Sequence, residues 1–148
     1  MKHLIVKKAF VAASVLSVLG YVGSASAHDQ SGDLGTGAKR ADYYKVSCFN
    51  DGSGNADHLS IHIKDLPPVA SPLVSVQVIK GILAKNVTDP VDGDTAFSPE
   101  MNVKGGNGAY DVIVDKTGAG VEIYALDYHC ETSSGAHTGT SIVKIQDR

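Results

Sequence analysis

Residues 108–130, GAYDVIVDKTGAGVEIYALDYHC, contain two segments in which every second side chain is apolar. The side chains that share a face within each segment are Tyr110, Val112 and Val114, and then Tyr124, Leu126, Tyr128 and Cys130. A period of two is typical of a β-strand with one buried face. The sequence TGAG at 117–120 separates the segments and is typical of a turn. The stretch therefore predicts two strands in succession.

The same alternation recurs on the N-terminal side of this stretch. Its apolar faces are Tyr44, Val46 and Cys48, then Leu59, Ile61 and Ile63, and then Val74, Val76 and Val78. A last strand is predicted around residues 141–145, and residues 84–108 are predicted to form a long polar connection. No segment after residue 27 has an amphipathic helical repeat. About seven short strands predict one all-β domain over residues 42–148, a β-sandwich of jelly-roll type.

The two cysteines of the chain, Cys48 and Cys130, each lie on the inward face of a predicted strand. In an oxidising compartment, an even pair of cysteines is most simply a disulfide. The predicted bridge would tie the first strand to the penultimate one. On the simple chain-entropy model, closing a loop of this size contributes roughly 4–5 kcal/mol of stability.

The segment from Gly105 to Cys130 resembles the second half of bacterial pre-peptidase C-terminal domains. In those domains a Gly-x-Tyr pair opens a strand, and a Gly-rich turn leads into a Tyr-x-Leu strand. The matching residues here are Gly108, Tyr110, Gly118, Gly120, Tyr124 and Leu126. The resemblance implies a non-catalytic, jelly-roll-like sandwich, often stabilised by calcium, that accompanies secreted enzymes or binds polymers. This chain differs in its disulfide and in having no adjoining enzyme domain, which leaves its partner open.

Residues 1–27 have the organisation of a bacterial signal peptide. Three lysines occupy the first eight residues, an apolar run covers residues 9–22, and Ala25-Ser26-Ala27 offers the small-x-small cleavage pattern. The apolar run is shorter than the ~20 residues that span a bilayer. We therefore predict cleavage after Ala27, no membrane insertion afterwards, and a periplasmic or extracellular protein that begins at His28. Residues 28–41, HDQSGDLGTGAKRA, lack periodicity and are predicted to be a flexible leader.

The charge of the mature chain excludes two classes of partner. The chain has 13 basic and 16 acidic residues, and cleavage removes three lysines. The remaining excess of acid argues against nucleic acid, whose phosphates need Lys and Arg, and against anionic membranes. The expected partner is a protein or a polymer, whose identity the sequence leaves open.

One candidate metal is calcium. Asp89, Asp92 and Asp94 lie within six residues, close to Gly93. Carboxylate oxygens on a bent backbone suit Ca²⁺. A second loop of this kind contains Asn50, Asp51, Asn55 and Asp57. Neither loop has the twelve-residue EF-hand spacing, and the favoured interpretation is that these residues simply form turns.

The alternative metal is copper. Cleavage after Ala27 would give His28 a free α-amine beside its imidazole, and nitrogen ligands suit Cu(II). Further ligands could come from His129, His137 or Asp29. Small periplasmic copper carriers are similar in size, are β-sandwiches and also begin at a histidine. The opposing interpretation is that these histidines only face solvent.

Motifs of catalysis are missing from the sequence, which has neither a Gly-x-Ser-x-Gly elbow nor a His-Glu-x-x-His pair. We therefore expect no enzyme. Two hypotheses remain: a non-catalytic binding or structural module of unknown ligand, and a periplasmic copper-binding carrier that uses His28.

Overall fold

The computed structural model describes residues 28–69 and 72–148, so the predicted signal peptide lies outside the described residues. These residues form nine β-strands. The strands are β1 (His28–Asp33), β2 (Asp42–Phe49), β3 (His58–Leu66), β4 (Val74–Lys80), β5 (Leu83–Thr88), β6 (Met101–Val103), β7 (Gly108–Lys116), β8 (Ile123–Glu131) and β9 (His137–Gln146). The all-β prediction is confirmed, although the expected number of about seven strands was too low.

The strands form two antiparallel layers that share β9. Neighbours follow the order β5-β4-β7-β2-β9-β8-β3-β6, and β1 pairs with β8 beside β9. β9 pairs with β2 along most of its length, but with β8 only at Thr138 and His137. The two ends of the order, β5 and β6, line opposite sides of a groove. The result is a sandwich-like sheet that is nearly closed.

The core lies between the layers and confirms the predicted strand faces. Side chains of β2 and β8 alternate between buried and partly exposed along almost their whole length. The fully buried side chains of the five predicted faces are Tyr44, Val46, Leu59, Ile63, Val74, Val76, Val78, Tyr110, Val112, Val114, Tyr124, Leu126 and Cys130. Each apolar side chain removed from water contributes on the order of 1.5–3 kcal/mol.

The predicted disulfide is present between Cys48 and Cys130, with a Cα–Cα distance of 5.5 Å. It joins β2 in one layer to β8 in the other, and both residues are buried. A structural disulfide indicates a non-reducing compartment.

A buried polar network closes one end of the sandwich. The Tyr124 hydroxyl donates to the Asp42 carboxylate and is also hydrogen-bonded to the Tyr44 hydroxyl. Lys144 Nζ donates to the same carboxylate at 3.0 Å. Burial raises the pKa of Tyr124, so this phenol remains a hydrogen-bond donor at neutral pH. Asp42 thus has the partners that a buried carboxylate requires.

Two predicted irregular segments contain strands. The leader over residues 28–41 begins instead with β1, which pairs with β8 in register from His28 opposite Tyr128 to Asp33 opposite Ile123. The polar connection over 84–108 contains most of β5 and all of β6. β1 and β5 have few large apolar side chains because both lie at sheet edges, where backbone pairing defines the strand without a buried face.

Gly32 is required where β1 crosses Tyr124. A Cβ at Gly32 would overlap the phenol ring of Tyr124, which is fully buried and cannot move aside. We expect Gly32→Ala to lower the free energy of unfolding by about 1–3 kcal/mol, the usual cost of overpacking. Ser31→Ala, on the exposed face of β1, should change it by less than about 0.5 kcal/mol. Equilibrium denaturation in urea measures both, and equal midpoints for the two variants would contradict the expectation.

Candidate metal centre

The outer face of β8 carries an alternating row of Asp127, His129 and Glu131. These side chains point away from the core because Leu126, Tyr128 and Cys130 occupy the inward face. The strand register places a residue of β3 opposite each of them. The pairs are His62 with Asp127, Ser60 with His129, and His58 with Glu131. Residues directly opposite in an antiparallel pair share a face, so carboxylates and imidazoles meet here.

Two further strands extend this row. His137 of β9 lies opposite Glu131, and Asp29 of β1 lies opposite Asp127. His28 begins β1 opposite Tyr128, which places it on the inward side of this row, and its ring centroid lies 5.7 Å from that of Tyr128. Five of the six histidines in the sequence thus lie around one end of β8. The sixth, His3, is outside the described residues.

Each carboxylate of β8 contacts two imidazoles. Asp127 Oδ1 lies 2.7 Å from His129 Nε2, and Asp127 Oδ2 lies 3.1 Å from His62 Nε2. Glu131 Oε2 lies 3.3 Å from His58 Nε2, and Glu131 Oε1 lies 3.7 Å from His137 Nε2. Of these four contacts only that between His62 and Asp127 has hydrogen-bond geometry, and the others are close ionic contacts. A carboxylate beside one ring nitrogen favours an orientation in which the other nitrogen can face a ligand.

The predicted copper ligands His28, His129 and His137 lie near one another, although their ring nitrogens do not all lie within 4.8 Å of one another. The rings of His129 and His137 are stacked with their centroids 4.3 Å apart, and the ring of His28 lies 6.2 Å from that of His129. Among the described residues, the Nδ1 atoms of His28 and His129 are buried and have no hydrogen-bond partner. Buried polar atoms without a partner are costly, so both atoms are placed to gain from a ligand.

The electrostatics of the cluster favour a neutral imidazole at His129. Burial lowers the pKa of this side chain, and the adjacent His137 and His28 rings lower it further. Asp127 and Glu131 raise the pKa of His129, but the net shift is still downward. The neutral ring is the form that binds a metal.

His58 and His62 lie on the same face but have different surroundings. His58 Nδ1 lies 3.0 Å from Asp57 Oδ2, so both of its ring nitrogens already contact carboxylates. The ring of His62 is stacked on Phe97 with centroids 4.2 Å apart. These two histidines therefore hold the carboxylates of β8 in place and leave His28, His129 and His137 as the candidate ligands.

The three aspartates predicted as calcium ligands do not converge. Asp89 accepts hydrogen bonds from the backbone N–H groups of Asp65 and Val91. Asp94 accepts one from the N–H of Ala96 at 2.8 Å. The contacts to Val91 and Ala96 run two residues along the chain, as in the turns that aspartate commonly forms. Asp92 instead lies beside two acids that the sequence analysis did not select.

That second cluster consists of Asp65, Asp92 and Glu122. One carboxylate oxygen of each residue lies within 4.8 Å of the others. Asp65 and Glu122 are fully buried, whereas Asp92 is partly exposed. The acids lie at least 27 positions apart in the sequence, so no local spacing could have indicated the cluster. By contrast, Asp127, His129 and Glu131 alternate along β8, and this local pattern could have indicated their shared outward face, here called the histidine face.

Comparison with known proteins found no relative of this chain. The chain matches no known protein family, and neither the curated proteins nor the solved structures contain a match. Within the residues that the structure covers, no helix is long and apolar enough to cross a membrane.

Proposed function

We propose that this protein is a non-catalytic Cu(II)-binding protein of the periplasm or cell exterior, with His28, His129 and His137 as ligands. The observation that carries the proposal is the proximity of these imidazoles, with ring centroids 4.3 Å apart for His129 and His137 and 6.2 Å apart for His28 and His129, and with ring nitrogens of His28 and His129 buried and unpartnered among the described residues. Borderline nitrogen ligands of this kind suit copper better than calcium or magnesium.

Signal-peptide cleavage after Ala27 would complete the site. A free α-amine on His28 and its Nδ1 atom are separated by three carbon atoms, so both can bind one metal in a six-membered chelate ring. Nδ1 is also the atom of this ring that has no partner among the described residues. The amine titrates near pH ~8, so the affinity for metal should rise with pH across the neutral range.

The choice of copper rests on ligand chemistry. For a given set of nitrogen ligands, divalent first-row metals bind in an order that peaks at Cu²⁺. Asp127 and Asp29 lie directly opposite each other on the same face, a pairing of like charges that is unfavourable without a neighbouring positive charge. A bound divalent cation would relieve this repulsion. The disulfide, which indicates a non-reducing compartment, is compatible with retaining copper as Cu(II).

The test is a copper titration of the chain that begins at His28, by competition with a chromophoric chelator and by electron paramagnetic resonance. We expect about one Cu(II) per chain, with hyperfine structure from nitrogen ligands. A chain that begins at residue 22 keeps every histidine of the site but moves the amine away. Its affinity should be weaker by more than about tenfold, which corresponds to roughly 1.4 kcal/mol.

Matched histidine variants separate the ligands from their neighbours. His129→Gln should weaken copper binding by more than about tenfold. His58→Gln should weaken it by clearly less, because both ring nitrogens of His58 already contact carboxylates and His58 can act on the site only through Glu131. Equal copper affinity for all variants would contradict the proposed site. If no chain binds copper, the remaining hypothesis is a binding module for a protein or polymer.

A further inference from the structure

The carboxylates of Asp65, Asp92 and Glu122 come from three separate segments. Asp65 lies near the end of β3, Asp92 in the connection between β5 and β6, and Glu122 immediately before β8. Their nearest oxygens lie within 4.8 Å of one another. Carboxylates this close repel each other strongly when ionised, and the repulsion is larger in a buried site than in water.

Glu122 is a buried acid with no hydrogen-bond donor from outside the acidic cluster. Its side chain is 0% exposed, and outside the cluster no described N–H or O–H group donates a hydrogen bond to either carboxylate oxygen. Asp65 is also 0% exposed, and its Oδ1 is without a donor among the described residues, whereas its Oδ2 accepts from Val74 N at 3.0 Å. Buried carboxylates normally have charged or donor partners, so these oxygens indicate a missing positive partner.

The adjacent lysine does not supply enough charge. Lys116 lowers the pKa of Glu122, but its ammonium group donates to the carbonyl oxygens of Gly35 and Gly120. Burial raises the pKa of Asp65 to about 7, and Glu122 and Asp92 add to this shift. Burial also raises the pKa of Glu122, and Asp92 adds to it, whereas a hydrogen bond with Asp65 acts in the opposite direction. One ammonium group against three carboxylates leaves negative charge to be neutralised by a cation or a proton.

We propose that Asp65, Asp92 and Glu122 bind a Ca²⁺ ion at a site separate from the histidine face. All three residues offer hard oxygen ligands, and no cysteine or histidine belongs to the cluster. Calcium accepts six to eight oxygens in flexible geometry, so three carboxylates and solvent at the partly exposed Asp92 suffice. The ion would fasten the end of β3, the β5–β6 connection and the start of β8 to one another.

Neighbouring contacts hold the cluster in this arrangement. Asp89 Oδ2 accepts the backbone N–H of Asp65 at 2.7 Å, and the N–H of Gly93 donates to the carbonyl of Asp65 at 3.2 Å. The loop that carries Asp92 is therefore bound to β3 on both sides of the acid. Such preorganisation lowers the entropic cost of binding an ion.

The test is thermal unfolding of the chain that begins at His28, at pH 8, in EDTA and in millimolar CaCl₂ or MgCl₂. Binding to the folded state alone raises the melting temperature, by about 5–10 °C when calcium exceeds its dissociation constant about 100-fold. Magnesium, which demands a stricter octahedral geometry, should raise it less. Coincident curves in EDTA and calcium would overturn the proposal and would leave a shared proton as the partner of the acids.

Two variants locate the ion, and a third serves as the matched control. Glu122→Gln and Asp92→Asn should each abolish the rise with calcium, and Asp92→Asn provides the result if the buried substitution prevents folding. In EDTA the Glu122→Gln protein should be at least as stable as the unaltered protein, because a buried charge has been removed. Asp94→Asn lies outside the cluster and should keep the full rise. A rise that persists in both cluster variants, or that disappears in Asp94→Asn, would overturn the proposed site.

Discussion

Replacing Cys48 and Cys130 together with alanine is expected to lower the free energy of unfolding by about 4–5 kcal/mol. The disulfide closes a loop with a sequence separation of 82, and the chain-entropy model assigns a stabilisation of about this size to such a loop. Both residues are buried at the junction of the two layers, and alanine introduces no polar group there. Equilibrium unfolding in guanidinium chloride measures the difference.

Reduction of the unaltered protein provides the control for this variant. With reductant, its unfolding midpoint should move towards that of the double variant, while the midpoint of the double variant should not respond. Alkylation followed by intact mass measurement should modify no thiol before reduction and two afterwards. Equal midpoints for the double variant and the oxidised protein would show that the cross-link does not constrain the unfolded chain.

The part of the fold that could be predicted from the sequence is the part with a buried face. In β8, Tyr124, Leu126 and Tyr128 recur with a period of two because one side of the strand packs on the core. β1 has the sequence HDQSGD and no such signal, since its pairing with β8 satisfies backbone groups and requires few apolar side chains. Apolar periodicity therefore does not predict edge strands of this kind.

The residues of the candidate copper site could likewise be predicted from the sequence only in part. His28, His129 and His137 could be selected by residue type alone, and the structure places them side by side. Asp127 and Glu131 alternate with His129 in the sequence, which indicates a shared face, but the imidazoles that they contact depend on which residues of β3 and β9 lie opposite. Strand register is fixed by the packing of the whole sheet and is not encoded in a local motif.

The acidic residues show how local spacing can mislead. Asp89, Asp92 and Asp94 are close in sequence, yet Asp89 and Asp94 accept backbone hydrogen bonds within their own loop. Asp92 instead joins Asp65 and Glu122, which are brought to it by β3 and β8. Aspartates in a loop commonly accept hydrogen bonds from nearby backbone N–H groups. A cluster of three acids forms here only through contacts between segments that are distant in sequence.

Leu126→Ala is expected to destabilise the protein by about 2–5 kcal/mol, because the variant loses buried methyl groups and leaves a cavity. Leu126 is 0% exposed at the centre of β8, the strand on which the disulfide and the histidine face both depend. Leu83→Ala makes the same chemical change on edge strand β5, where the side chain is 40% exposed, and should cost less than about 1 kcal/mol. Chemical denaturation of both variants measures the difference. A loss at Leu126 no larger than that at Leu83 would mean that β8 presents its other face to the core, and the outward histidine cluster would then be misplaced as well.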